Sequence, residues 1–144
     1  MLLAVLIANS EGNILVERLN GVPTEEMLHW RSFLVRLGAE NLRGVKNEEL
    51  LVACHKSVYV VYTILGAISI YVVGKEEYDE LVLSEVIYAI TAIVRDVCGK
   101  PPSERLFLDK YGKICLSLDE IVSKVPNFFR LSCLRPSSEA CPPS

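Results

Sequence analysis

The chain has 144 residues, of which 51% are hydrophobic and 23% charged, and its formal net charge is −3. This length predicts one domain that buries about 68–70% of the surface exposed by its unfolded chain. The mean hydropathy of +0.32 is high for a soluble monomer, which indicates either an unusually apolar core or apolar surface covered by a partner. Because basic and acidic residues nearly balance and form no block of like charge, the composition argues against a nucleic-acid or anionic-membrane surface.

Cysteine spacing and hydropathy predict a cytoplasmic location. The five cysteines are widely spaced and include no Cys-x-x-Cys pair, as expected in a reducing compartment. Leu2 to Ala8 has no basic region before it, so a buried strand is favoured over a signal peptide. Residues 58–73 are uncharged but shorter than the ~20 residues of a membrane helix. Gly66 interrupts them, so we interpret this run as a β-hairpin.

The first nineteen residues predict another hairpin. Leu2 to Ala8 is a continuous apolar run, as expected for a central strand covered on both faces. Residues 9–13 favour a turn, because Gly12 permits positive φ and Asn and Ser side chains bond to nearby backbone. Ile14 to Leu19 has the two-residue period of a returning, less buried strand.

An amphipathic helix is predicted after the break at Asn20 to Pro23. Thr24 is the predicted N-cap, and Glu25 and Glu26 follow in the first turn, where the helix dipole favours negative charge. Gly38 is predicted to end the helix. The apolar positions recur at helical spacing and are expected to be core residues: Met27, Trp30, Phe33, Leu34 and Leu37.

Three strands are predicted after a polar loop at residues 39–49. They are rich in β-branched and aromatic side chains and span residues 50–55, 57–64 and 68–73. Turns are predicted at His55-Lys56 and at Gly66-Ala67. His55 and His29 have no acidic or cysteine neighbour at metal-ligand spacing, so neither is expected to bind a metal.

A long helix is predicted to open with Gly74-Lys75, to begin near Glu76 and to end at Gly99. It is apolar over most of its circumference, so we expect it to be covered on more than one side. One cover is the sheet, and the other is the C-terminal segment, a partner chain, or both. The candidate partner-interface residues come from this helix and the segments after it: Tyr88, Val94, Phe107, Ile114, Leu118, Ile121 and Val122.

Two further helices and a tail are predicted at the C-terminus. Ser103 is the predicted N-cap of a short helix that runs through Asp109, and a second helix spans residues 111–123. Beyond Lys124 the character changes, and Pro and Ser accumulate towards the end. The sequence therefore predicts a domain of residues 1–124 followed by an atypical, disordered tail at residues 125–144.

No sequence motif predicts catalysis or a cofactor. Three Gly-Lys pairs lack the Ser or Thr that follows in a phosphate-binding loop, and the hydrolase and zinc-protease motifs are missing. Asp119 and Glu120 are adjacent, so on a helix they point about 100° apart and do not converge as an acid pair. A Cys/His nucleophile pair stays open on composition alone, although most cysteines lie in apolar contexts that disfavour a reactive thiolate. We expect a protein that is not an enzyme and binds no cofactor or metal.

The order of predicted elements resembles the longin or SNARE-like fold: two strands, a helix, three strands, a long helix and short helices. Several short motifs also resemble the small (σ and ζ) subunits of clathrin-adaptor and coatomer complexes. They are the first hairpin with Ser10-Glu11-Gly12-Asn13, Val60-Val61-Tyr62, Asp79-Glu80-Leu81 with Leu83 and Glu85, Gly99, and Leu118-Asp119-Glu120. The similarity covers about residues 1–124 and is greatest to the small subunits of plant TPLATE (TSET) adaptor complexes.

This resemblance implies an α/β sandwich in which a five-stranded antiparallel sheet is flanked by an N-terminal helix and by a long helix plus C-terminal helices. It also implies a non-enzymatic small subunit of an adaptor or coat complex in vesicle trafficking, expected in endocytosis. Such a chain would dock on a large adaptin-like subunit beside a medium subunit. It would be cytoplasmic and reach plasma-membrane or endomembrane coats only through the complex. The alternative is a longin-type regulatory module that binds small GTPases or SNAREs.

The sorting-signal site of the family is not matched here. In the family, acidic dileucine signals bind a basic residue of the second strand and an apolar pocket beside the long helix. Here the second strand begins Ile14-Leu15-Val16 without an Arg, and Thr91 and Arg105 stand where the pocket is apolar. We therefore do not carry that site over. The family also has one more amphipathic helix after its Leu-Asp-Glu segment, where this chain continues from Val125 instead.

Overall fold

A computed structural model of the chain describes the backbone in five stretches: residues 2–19, 23–55, 58–75, 80–99 and 102–134. These residues form five strands and four helices, which follow one another in the predicted order. This confirms the predicted α/β fold class. The elements are β1 (Leu2–Asn9), β2 (Ile14–Leu19), α1 (Thr24–Asn41), β3 (Leu51–His55), β4 (Val58–Leu65), β5 (Ile68–Lys75), α2 (Glu80–Cys98), α3 (Glu104–Asp109) and α4 (Tyr111–Leu134).

The strands form one sheet in the order β2-β1-β5-β4-β3, and every neighbouring pair is antiparallel. β1 lies inside the sheet, between β2 and β5, and its residues Val5, Leu6 and Ile7 are fully buried. This confirms the strand that the apolar run predicted. The turn after β1 is also confirmed: Gly12 has a φ of +86°, and Asn9 Oδ1 accepts bonds from two backbone N–H groups of the turn.

Helices cover both faces of the sheet. Alternate side chains of each strand point to opposite faces, so Leu6 and Tyr71 pack with Leu34 of α1. Val5 and Ile7 point the other way and pack with residues of α2, α3 and α4. The long helix is therefore covered on one side by the sheet and on another by the C-terminal helices of the same chain.

The prediction for the two ends of α1 is wrong. Its N-cap position is Pro23, without a side-chain capping bond, and Thr24 is already helical. The helix also passes through Gly38 and continues to Asn41. The physical reason for this glycine is packing: a Cβ at position 38 would lie 2.9 Å from Cζ of Tyr71 and closer still to its hydroxyl. Gly38 therefore permits a close approach between α1 and the sheet.

The β4–β5 turn and the end of α2 agree with the sequence prediction. Gly66 has a φ of +61° and Gly99 a φ of +82°, and the N–H of Gly99 donates to the carbonyl of Arg95. The N–H of Ala67 donates to the carbonyl of Pro102 at 3.2 Å, which ties this turn to the segment after α2. Gly74 and Lys75 belong to β5 rather than to the helix. The predicted helix start at residues 76–79 lies outside the described residues, as does Lys56.

The C-terminal helices are confirmed in place but not in length. Ser103 caps α3, and its Oγ accepts a bond from the N–H of Leu106. α4 begins at Tyr111 as predicted but continues to Leu134. Residues 125–134, which the sequence assigns to the tail, belong to this helix. Residues 135–144 lie outside the described chain.

Candidate partner-binding surface

The helices on one face of the sheet leave β3 uncovered. α2 packs over β4 and β5, and α4 packs beside α2. Arg18 of β2 donates from Nε to Oδ1 of Asp119 on α4 at 2.6 Å, which places α4 near the β2 edge. The helical layer therefore runs from β2 to β4. Val52 and Cys54 of β3 are exposed as a result.

Three residues of α2 share one side of the helix. Leu81, Tyr88 and Arg95 are seven residues apart, so they lie in one stripe. Arg95 donates from Nη2 to Oε1 of Glu48 at 2.7 Å, and the N–H of Glu48 donates to the carbonyl of Ile64 on β4. Since Glu48 lies just before β3, this ion pair ties the Arg95 end of the stripe to the start of β3. Leu81 and Tyr88 are 53% and 55% exposed.

The strand register places the two exposed β3 side chains on the same face as α2. Val52 pairs with Val61, and Cys54 pairs with Tyr59. Directly paired residues point to the same face of a sheet, and both Val61 and Tyr59 belong to the core packed with α2. We call the four residues Val52, Cys54, Leu81 and Tyr88 the α2–β3 surface.

Most of the sequence-predicted interface residues lie in the core of this chain. Tyr88 is exposed, whereas Val122 is partly buried and packs on the core. The other five are buried: Val94, Phe107, Ile114, Leu118 and Ile121. In this structure α3 and α4 fold back on α2 and use these five side chains for internal packing.

Sequence reasoning missed Val52, Cys54 and Leu81. Residues 50–55 are nearly all apolar, so their sequence carries no alternation that would separate a buried face from an exposed one. Leu81 lies on a helix that is apolar nearly all round, so its sequence does not separate buried from exposed positions either. Only the positions of α2 and α4 over the sheet distinguish the exposed side chains from the buried ones.

The positions where the family has an apolar pocket hold other environments here. Thr91 is buried, and its Oγ1 donates to the carbonyl of Tyr88 at 2.9 Å, one turn back in the same helix. Arg105 lies on α3 and is exposed. The start of β2 contains Ile14 and Leu15, both partly buried. Arg18 and Arg31 line a cleft with these residues, but each is already paired with a carboxylate, Asp119 and Glu17 respectively.

A cleft of about 320 Å³ opens between the β1–β2 turn and the C-terminal half of α1, with Asn9, Ser69 and Tyr71 among its lining residues. The Asn9 side chain is already occupied, since its Nδ2 donates to Glu104 Oε1 at 2.8 Å in addition to the turn bonds of Oδ1. Burial raises the pKa of the Tyr71 hydroxyl. Of the polar side chains that line the cleft, that of Asn9 therefore serves the turn.

His55 packs among aromatic rings. Its ring centroid lies 4.6 Å from that of Phe33 and 6.3 Å from that of Trp30. Among the residues that the structure describes, no group of three or more His, Cys, Asp and Glu side chains is arranged to hold a metal ion. Within the same residues, none of the helices combines the length and hydropathy needed to cross a membrane.

Comparison with known proteins identifies a relative over most of the chain. No family model matches the sequence. A curated protein of Dictyostelium discoideum, TSET complex member tstD, is 30% identical over 126 residues, which are 86% of this chain and 82% of the relative.

Comparison of three-dimensional structures gives a full-length match to the fold. A chain of a homology model of the full-length AP-3 complex in a stretched open conformation aligns over 97% of this chain and 98% of its own, with 13% identity and a TM-score of 0.61. A Roadblock/LC7 domain from Streptomyces avermitilis aligns over 66% of this chain and 83% of its own, with 15% identity and a TM-score of 0.47. On the identity and coverage of the curated relative, the chain belongs to the family of TSET complex member tstD, the small adaptor-like subunits of TSET/TPLATE type.

Proposed function

We propose that this chain is the non-enzymatic small subunit of a heteromeric adaptor or coat complex in vesicle trafficking. The observation that carries the proposal is the 30% identity over 126 residues to a member of the TSET complex. The full-length fold match to a chain of an AP-3 complex agrees with it. The described residues also offer exposed apolar side chains on α2 and β3 rather than a convergent polar pocket.

Within that complex, the chain docks on a large adaptin-like subunit and lies beside a medium subunit. It is cytoplasmic and reaches plasma-membrane or endomembrane coats through its partners, and the pathway it serves is endocytosis. The support for these finer points is the family resemblance together with an apolar surface that a partner would remove from water. Burial of such surface stabilises association by about 25 cal/mol per Å² before the entropic costs of binding.

Affinity purification of the full chain from its native cells tests the proposal. The chain carries a small tag and is expressed at its natural level, and the proteins recovered with it are identified and quantified by mass spectrometry. A large adaptin-like subunit and a medium subunit in equal amounts with the tagged chain are the expected result. A matched control is the same tag on an unrelated cytoplasmic protein of similar size.

Two outcomes would contradict the proposal. Recovery of small GTPases or SNAREs without large and medium subunits would assign the chain to a regulatory module instead. The tagged chain can be expressed in cells that lack the untagged protein and tested for normal growth. If it restores growth but recovers no stoichiometric partner, a subunit role is refuted. Imaging of the tagged chain during uptake of a membrane dye then tests endocytosis separately, because a subunit of another coat would stay away from the plasma membrane.

A further inference from the structure

The two edge strands of the sheet differ in how they are protected. At the β2 edge, Glu17 accepts a bond from Nε of Arg31 on α1 at 2.7 Å. On the opposite face, Arg18 pairs with Asp119 on α4. Charged side chains held by helices on both faces are a known protection against the addition of another strand. The β2 edge is therefore poorly suited to pairing with a partner.

The β3 edge has none of this protection. Its sequence Leu-Val-Ala-Cys-His contains no Pro, Lys, Arg, Asp or Glu, and its register with β4 runs without a bulge. Within the described residues β3 is hydrogen-bonded only to β4. In that part of the chain no other strand pairs with its second edge, which therefore presents backbone donors and acceptors open to a further strand.

The register indicates which backbone groups face outward. His55 pairs with Val58 across two intervening residues, and the residues that flank a two-residue hairpin loop exchange hydrogen bonds. Hydrogen-bonded and non-hydrogen-bonded pairs alternate along an antiparallel ladder. The pairs of Val52 and Cys54 are then the non-bonded ones, so the N–H and C=O groups of these two residues point away from β4.

These same two residues also carry the exposed side chains. A strand added at this edge would bond to the backbone of Val52 and Cys54 and cover their side chains. Its own side chains on that face would lie on the same side of the sheet as Leu81 and Tyr88 of α2, both half exposed. Backbone bonds supply affinity in this mode of recognition, and alternate side chains supply specificity.

We propose that an extended apolar segment of a partner subunit adds to β3 as a sixth strand and packs on the α2–β3 surface. This inference rests on the proposed function, which supplies a heteromeric complex as the setting. A partner segment is favoured over a second copy of this chain because the relative with 30% identity is named as a member of a complex. The open edge requires an extended segment, and the exposed apolar side chains of Val52, Leu81 and Tyr88 favour an apolar one.

Paired proline substitutions test the backbone geometry. Val52→Pro removes an outward N–H and is expected to leave the melting temperature of the isolated chain within about 3 °C of the wild type, because edge strands tolerate Pro on their solvent side. Ala53→Pro removes a bond to β4 and is expected to lower the melting temperature by more than that. Equal effects would overturn the assignment of the outward groups.

Partner recovery then tests the docking itself. In the native complex, Val52→Pro and Val52→Lys are each expected to reduce recovery of the partner subunit by tenfold or more. Val52→Lys changes only a side chain that is 47% exposed, so it keeps the test valid if the proline variant folds poorly. Leu116→Lys is the matched control, since Leu116 is 73% exposed on α4, and it should recover the partner at the wild-type level.

Amide hydrogen exchange gives a readout that a change in folding would not imitate. The amides of Val52 and Cys54 should exchange rapidly in the isolated chain and become at least tenfold slower in the purified complex. A complex that forms normally with both Val52 variants and leaves these amides unprotected would overturn the inference while the proposed function stands. Failure of the wild-type chain to recover any partner would instead overturn the proposed function.

A second copy of the chain at this edge is the remaining outcome. It would appear as a dimer of the isolated wild-type chain by light scattering, with protection of the same two amides that increases with concentration. That result would overturn the partner-segment proposal, and Val52→Lys should then return the chain to a monomer.

Discussion

The contact between Gly38 and Tyr71 makes an unusual prediction about helix stability. In a helix interior, replacing Gly by Ala normally stabilises a protein by about 1 kcal/mol. At position 38, however, the new Cβ would lie 2.9 Å from Cζ of Tyr71 and closer still to its hydroxyl. Tyr71 is buried in β5 and cannot swing into solvent, so α1 or the ring must shift.

The magnitude follows from two opposing effects. Overpacking of a core costs about 1–3 kcal/mol, and the propensity gain offsets about 1 kcal/mol of it. We therefore expect Gly38→Ala to lower the free energy of unfolding by up to about 2 kcal/mol, which corresponds to a fall in melting temperature of roughly 4–8 °C at this chain length. Thermal and urea denaturation followed by circular dichroism would measure it.

Two further variants test whether the ring of Tyr71 packs over Gly38. Gly112 also lies in a helix, but a Cβ there would meet nothing within 4 Å, so Gly112→Ala should raise stability by up to about 1 kcal/mol. Adding Tyr71→Phe to Gly38→Ala removes the nearest clashing atom and should recover part of the loss. If Gly38→Ala stabilises the chain as much as Gly112→Ala does, the ring of Tyr71 does not lie over Gly38 and the packing argument is refuted.

Phe107→Ala should lower the free energy of unfolding by about 3–5 kcal/mol in urea denaturation, because Phe107 is fully buried. Leu116→Ala, at an exposed position, should change it by less than about 0.5 kcal/mol. Similar effects at the two sites would contradict the burial of Phe107. Ser103→Ala should lower the free energy of unfolding by about 1 kcal/mol, because it removes the cap on the Leu106 N–H. Faster hydrogen exchange of that amide would localise the effect to α3, whereas an unchanged exchange rate would argue against the cap. Stability should fall as pH rises above about 10, because burial raises the pKa of Tyr71 in the folded state above its ordinary value of 10.0 and ionisation then favours the unfolded chain. Tyr71→Phe should reduce the loss of unfolding free energy between about pH 9 and about pH 11 in urea denaturation, and an unchanged loss would exclude this contribution.

Local signals in the sequence predicted much of the fold. The apolar run of β1, the turn at Gly66 and the Ser103 cap are each specified within a few residues, because glycine conformation, capping bonds and continuous burial act over short distances. The strand and helix order followed from these signals. Hydrophobic periodicity then identified the long helix as one that is covered on more than one side.

Other features depended on elements far apart in the chain. Glycine is typical of helix C-termini, so the sequence predicts that α1 ends at Gly38. Its role in the structure is to accommodate Tyr71, which is 33 residues away and becomes a neighbour only when α1 packs on the sheet. The end of α4 also differs from the prediction: Pro126 disfavours a helix because it removes an intrahelical hydrogen bond, yet α4 continues to Leu134.

For the candidate partner-binding surface, the sequence showed only that the share of apolar side chains is high, and the tertiary structure decided which of them reach the surface. Phe107 and Ile114 are as apolar as Val52 and Leu81, yet the first two are buried and the last two exposed. Periodicity reports how many faces of an element are apolar, but not whether its own chain or another chain covers them. That distinction follows from the positions of α3 and α4, which pack on α2 but do not extend over β3.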